Sequence, residues 1–251
     1  MQGQRPYRPQ RGCGIKSETW QCHVSTVTFV SLLDCIAPPP YAQVALMPSQ
    51  PQPATKVLTI AATGASGALF TRALLQAVEK DSRVKTVNFI ASDNALRVFA
   101  EELDIKGRND LVAKTLGAKS KKIHLQNNDD IGANVASGSY PTDAMIVLPC
   151  SMGTLAGIAH GLARNLIERA ADVTLKEKRP LVLCVRETPL NRVHIRNMQW
   201  AAEAGATIYP LIPTFYNRPP TLETMAHQFA CRVLAFIGLP QEGAYVWGGN
   251  N

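Results

Sequence analysis

Several short stretches place small, hydroxylic or charged residues directly after apolar runs. Gly64-Ala65-Ser66-Gly67 follows the run 57–62, and Pro149-Cys150-Ser151-Met152-Gly153-Thr154 follows the run 144–148. Ser137-Gly138-Ser139 stands just ahead of that second run. Small residues let backbone N–H groups at a helix start approach a phosphate, and Ser66 adds a hydroxyl. A glycine-rich turn serves tight packing equally well, so this segment alone leaves both uses open. It is not the full GxGxxG pattern, which counts against a nicotinamide dinucleotide. Three separate segments rich in Ser, Thr and Gly suit a phosphorylated cofactor better than one does.

Charged residues add a second kind of chemistry. Arg186-Glu187 follows the apolar run 181–185, where a charge pair is placed either for catalysis or as a structural ion pair. Arg169 and Lys176 are seven apart and share one face of a helix. Glu177, Lys178 and Arg179 read as the exposed, charged end of that helix. Tyr216 follows another strand, whereas Arg232 and Trp247 carry no local signal of their own. Cys150 has no His or acid tied to it by local sequence and reads as a small buried residue. His160, at a helix end, reads as structural.

These residues need elements to hold them. β-forming runs are expected at 57–62, 84–91, 144–148, 181–185 and 207–211. Helical patterns fall at 69–80, 94–103, 154–160, 166–176, 193–204 and 222–237. Strand–helix alternation implies an α/β, Rossmann-like (flavodoxin-like) three-layer sandwich with a mostly parallel sheet. Ligands of such sheets sit beyond the C-terminal strand ends, where the stretches above are found.

Composition sets the outer bounds. With 251 residues and 46% of them hydrophobic, the chain suits one globular domain, or one domain with an appendage. The net charge of +7 is scattered, without five consecutive basic residues, so no nucleic-acid partner is expected. No apolar stretch of spanning length escapes interruption, so no membrane association is expected either. Six cysteines form no CxxC pair and no metal-ligand spacing; they read as reduced thiols of a cytoplasmic protein without a metal. Residues 1–54 hold eight of the seventeen prolines and lack periodicity, which places a domain boundary at 55. Three readings compete for 1–54: a targeting leader, a disordered tail, or a mis-assigned extension upstream of a start at Met47. The last is favoured, and 55–251 is the domain.

Gly64-Ala65-Ser66-Gly67, Ser137-Gly138-Ser139, Pro149-Cys150-Ser151, the run 165–172, the run 176–180, Val185-Arg186-Glu187-Thr188-Pro189, Phe215-Tyr216 and Trp247 together resemble the UbiX flavin prenyltransferases. The likeness runs from about Lys56 to Trp247, and its most specific part is 166–189. It implies a transferase that joins the dimethylallyl group of dimethylallyl phosphate to N5 and C6 of reduced FMN and releases phosphate. The prenylated FMN is then handed to a UbiD-type decarboxylase. It also implies a homo-oligomer, a dodecamer built from trimers, with flavin bound between subunits and no metal.

By position, the resemblance gives the flavin to Gly64, Ala65, Ser66, Ser92, Ser151, Met152, Gly153, Thr154 and Arg186. Ser137, Gly138, Arg169, Lys176, Arg186, Glu187, Tyr216 and Arg232 match the surroundings of the substrate phosphate, with Tyr216 and Arg232 completing the pocket from a subunit edge. The catalytic set is Ser66, Glu102, Lys176 and Glu187: Ser66 and Glu102 for the bond at C6, Glu187 as the acid beside the departing phosphate. Trp247 matches an aromatic wall beside the prenyl group, while Ile131 stands where some relatives carry a second aromatic. Two rivals are a flavin-dependent cysteine decarboxylase and a flavin carrier without catalysis. The first carries a PxMNxxMW-type segment where this chain has Arg186-Glu187-Thr188-Pro189, and the second needs no phosphate-acid cluster.

Overall fold

The computed structural model describes residues 57–246 and 248. The extension read at 1–54, Met47 and Trp247 lie outside the described residues. Six strands make one sheet: β1 (Val57–Ala62), β2 (Thr86–Ala91), β3 (Ile123–Asn127), β4 (Ala144–Cys150), β5 (Leu181–Val185) and β6 (Thr207–Ile208). Their order is β3-β2-β1-β4-β5-β6 and every neighbouring pair is parallel. Among the described residues, seven α-helices surround the sheet: α1 (Ala68–Lys80), α2 (Asp93–Leu103), α3 (Leu111–Leu116), α4 (Met152–Ala159), α5 (Leu166–Lys176), α6 (Arg192–Glu203) and α7 (Leu222–Phe236).

Strand periodicity divides the core into two layers. Leu58, Ile60 and Ala62 of β1, with Ile146 and Leu148 of β4, meet the apolar faces of α1, α2, α3 and α7. The alternate residues Ala61, Met145 and Val147 meet α4, α5 and α6 on the other face. Covering both faces explains why the central strands are apolar at nearly every position. Each fully buried Leu or Ile contributes about 1.5–3 kcal/mol of transfer free energy. The expected three-layer α/β sandwich is thus the observed fold.

Helix starts are fixed by side chains. Ser92, Ser151, Asn165, Asn191 and Thr221 each accept a backbone N–H three residues ahead, opening α2, α4, α5, α6 and α7. Such a cap contributes about 1 kcal/mol. Three elements escape sequence reading: α3, β3 and the short 3-10 turn Asn134–Ala136. The strand lies at the sheet edge with only Ile123 buried, so its polar residues give no alternation to find. The strand expected at 207–211 closes after Ile208. Tyr209 and Leu211 still donate to the Leu183 and Val185 carbonyls of β5, but Pro210 between them has no N–H to contribute.

Candidate active site

Strand order reverses between β1 and β4, so their C-terminal ends border the crevice where sheets of this order take ligands. Thr63, buried at the end of β1, ties the two ends together. Its hydroxyl donates to the Pro149 carbonyl at 2.9 Å and accepts the Ser151 N–H at 2.8 Å. Its own N–H also reaches the Pro149 carbonyl at 3.2 Å. The turns 63–67 and 150–154 therefore form one unit.

Backbone demands explain the glycines. Gly67 has a φ of 136°, and a Cβ there would stand 2.7 Å from Leu211 Cδ2. A Cβ on Gly64 would run into the Asn94 side chain. Gly67 offers α1 no side-chain cap. The Glu102 carboxylate of α2 supplies one instead, accepting the Gly67 N–H at 3.1 Å and the Ala68 N–H at 2.8 Å. Ala65 N–H is likewise taken, by the Thr63 carbonyl. Among the described residues, the Gly64 and Ser66 amides keep no protein partner, and the Ser66 side chain is exposed.

On the far side, Arg186 N–H donates to the Cys150 carbonyl at 3.1 Å, which carries Arg186 and Glu187 past β5 beside the β4 turn. Both side chains are exposed. Glu187 Oε1 accepts the N–H of Thr188 at 2.9 Å, and the second oxygen has no protein partner among the described residues. Arg186, Glu187, Met152, Leu190, Met198 and Leu211 line a cleft of about 450 Å³. Ser92 and Ser151 spend their hydroxyls on caps, and Ser151 Oγ also lies 3.1 Å from Thr154 Oγ1. A Cβ on Gly153 would meet nothing within 4 Å, so that face of α4's first turn is open. Cys150 is fully buried, and burial pushes its thiol up to about 12. His160 packs edge-on against Trp200, with ring centroids 4.9 Å apart.

The remaining expected residues fall into two further groups, and none of them lines the cleft among its described residues. In one, the Ser137 and Ser139 hydroxyls lie 2.9 Å apart. Arg169 reaches the Ala136 carbonyl at 3.1 Å and Asp172 at 2.8 Å. Lys176 pairs with Glu177, and the ammonium holds that carboxyl below its ordinary range. In the other group, Arg232 donates to the Tyr216 hydroxyl at 3.1 Å and lines a 260 Å³ cavity with Tyr209, Thr214 and Phe229. Ile131 is exposed. Sequence reading missed Thr63 and Asn94, which give no motif signal. It also put Arg179 on an exposed helix end, and the structure corrects this. The guanidinium donates to the Gly138 carbonyl at 2.7 Å and the Tyr140 carbonyl at 3.0 Å. No group of three or more His, Cys, Asp or Glu that could hold a metal ion occurs among the described residues. No helix there is long and apolar enough to cross a membrane.

Comparison with known proteins places this geometry. Residues 47–226 match the Flavoprotein family. The chain is 38% identical over 195 residues to the flavin prenyltransferase UbiX of Alkalihalophilus pseudofirmus, spanning 77% of this chain and 96% of that protein. Among solved structures, AnUbiX in complex with FMN and dimethylallyl pyrophosphate superposes with a TM-score of 0.71 at 36% identity, over 78% of this chain and all (100%) of that one. A dodecameric FMN-dependent UbiX-like decarboxylase from Escherichia coli gives 0.68 at 40% identity, over 77% and 100%.

Proposed function

Because the chain belongs to the Flavoprotein family and, within it, to the flavin prenyltransferases, we propose the following reaction for it. It joins the dimethylallyl group of dimethylallyl phosphate to N5 and C6 of reduced FMN, releases phosphate, and supplies prenylated FMN to a UbiD-type decarboxylase. The observation that carries this reading is the cleft beyond β4 and β5, in which an arginine and an acid adjoin the Thr63-braced turns. The residues present fit FMN: unpartnered amides at Gly64 and Ser66, the Ser66 hydroxyl, the open first turn of α4 and the Arg186 guanidinium. Bound FMN supplies the nucleophilic ring atoms.

The chain's own groups do the rest. A phosphate monoester leaves slowly unless its charge is held, so cations and hydroxyls must converge on it. Ser137, Gly138, Arg169 and Lys176 are the proposed holders, joined by Tyr216 and Arg232 of a neighbouring copy. Glu187 holds a proton at the edge of the leaving phosphate. Ser66 serves the step at C6, and Glu102 supports it by fixing the amides next to Ser66. Trp247 walls the prenyl group. The exposed side chains of Ile212, Phe215 and Tyr216 support a homo-oligomer at this edge, with the dodecameric relative as its pattern. Cysteines 150, 184 and 231 are free and buried, which suits a cytoplasmic domain, here 55–251. The cysteine-decarboxylase and carrier readings give way to a family whose relatives are prenyl-transferring enzymes.

The test is anaerobic incubation of the protein with reduced FMN and dimethylallyl phosphate, followed by mass spectrometry of the extracted flavin. A gain of one five-carbon unit is the expected result. Flavin that is bound yet unmodified would overturn the reading.

A further inference from the structure

Ser137-Gly138-Ser139 is held by two arginines from the two ends of α5. Arg169, in its first half, takes the Ala136 carbonyl; Arg179, just past its end, takes those of Gly138 and Tyr140. The helix closes so as to aim Arg179 there. Lys178 turns to a φ of 56°, its N–H returning to the Leu175 carbonyl, while Arg179 N–H returns to the Thr174 carbonyl. The guanidinium then spans two carbonyls with one planar fork, which a flexible ammonium does not reproduce.

This clamp has a directional result. With carbonyls 136, 138 and 140 engaged by guanidinium groups, the Gly138 and Ser139 N–H groups have no protein partner among the described residues. The Ser137 and Ser139 hydroxyls lie beside each other and are exposed. The loop also presses on the Lys176–Glu177 pair, since a Cβ on Gly138 would collide with the Glu177 carboxyl. Two free amides, two hydroxyls and the Lys176 ammonium, which a phosphate would have to take over from the Glu177 carboxylate, form a set of donors for a phosphate.

We propose that Arg179 is a positioning residue for the donor phosphate, holding the Ser137-Gly138-Ser139 loop in its receiving shape beside Lys176. The proposal rests on the functional reading above. Wild-type, Arg179→Met and Arg179→Lys proteins are compared for kcat, KM of dimethylallyl phosphate, Kd of FMN and inhibition by inorganic phosphate. Arg179→Met is expected to raise the donor KM and weaken phosphate inhibition roughly 10-fold, with kcat and FMN affinity within about twofold of wild type. Arg179→Lys falls in between, because one ammonium replaces a two-pronged fork.

An unchanged donor KM in Arg179→Met, or a uniform decline of KM, kcat and FMN affinity, overturns the proposal. If that variant does not fold, a wild-type donor KM in Arg179→Lys does the same. Failure of the functional reading looks different: wild type itself then yields no prenylated flavin. In that case calorimetric titration with inorganic phosphate still compares the clamp in wild type and variants, and equal affinity sinks it.

Discussion

The turns that end β1 and β4 and the segments that follow β5 and β6 lie at the same end of the sheet, yet they are held in opposite ways. In the first region the polar groups are answered inside the chain except at Gly64 and Ser66: Thr63 bridges to residues 149 and 151, Glu102 caps α1, and Ser92 and Ser151 open helices. In the second, Arg186 and Glu187 are exposed, and Leu190, Ile212, Phe215 and Tyr216 lie open to solvent. One region is finished by folding. The other displays apolar surface and charge that a second copy of the chain would cover.

Mixing subunits is the severest test of that contrast. Glu187→Gln and Arg232→Ala are each expected to lower turnover about 100-fold. Co-expressed and assembled together, they should regain roughly a quarter of wild-type turnover, because some sites then draw both intact residues from different copies. No regain would mean that both residues serve the same chain's site, and the contrast would fail.

A smaller effect separates two threonines of one chain segment. Thr63→Val leaves the Ser151 N–H without its partner and the Pro149 carbonyl with only the Thr63 N–H, and should cost about 1–3 kcal/mol in urea unfolding, with weaker FMN binding. Thr59 Oγ1 is buried without a partner, so Thr59→Val should leave stability unchanged or raise it. Equal losses would show that burial, not the bridge, matters.

The smallest expected effect concerns Cys150. Burial pushes its thiol up to about 12, so the thiolate is scarce at pH 8. Iodoacetamide at that pH should leave Cys150 unlabelled in the folded protein, and Cys150→Ala should keep turnover within about twofold. Rapid labelling, or lost turnover, would reopen a thiol in the chemistry.

The layers were legible because β1, β4 and β5 are apolar on both faces and α1 and α5 carry one apolar stripe each. The turns at 64–67 and 149–154 were legible because glycines and cap residues leave a local trace. Thr63 was not, since the partners of its hydroxyl lie 86 and 88 residues away and only the parallel pairing of β1 with β4 brings them near. Arg179 was misjudged for a related reason. A charged residue beyond a helix reads as solvated until the return of the chain at 138–140 supplies two carbonyls. The edge strand β3 left no pattern because only one of its residues is buried.

The cap from Glu102 reaches beyond stability. In dinucleotide-binding sheets of this strand order, the amides opening the first helix receive a diphosphate bridge. Here a carboxylate already sits on the Gly67 and Ala68 amides, so the helix's positive end is neutralised and an extra phosphate group arriving there meets a like charge. A second phosphate would therefore be opposed at these two amides, whereas those of Gly64 and Ser66 stay open to a single one.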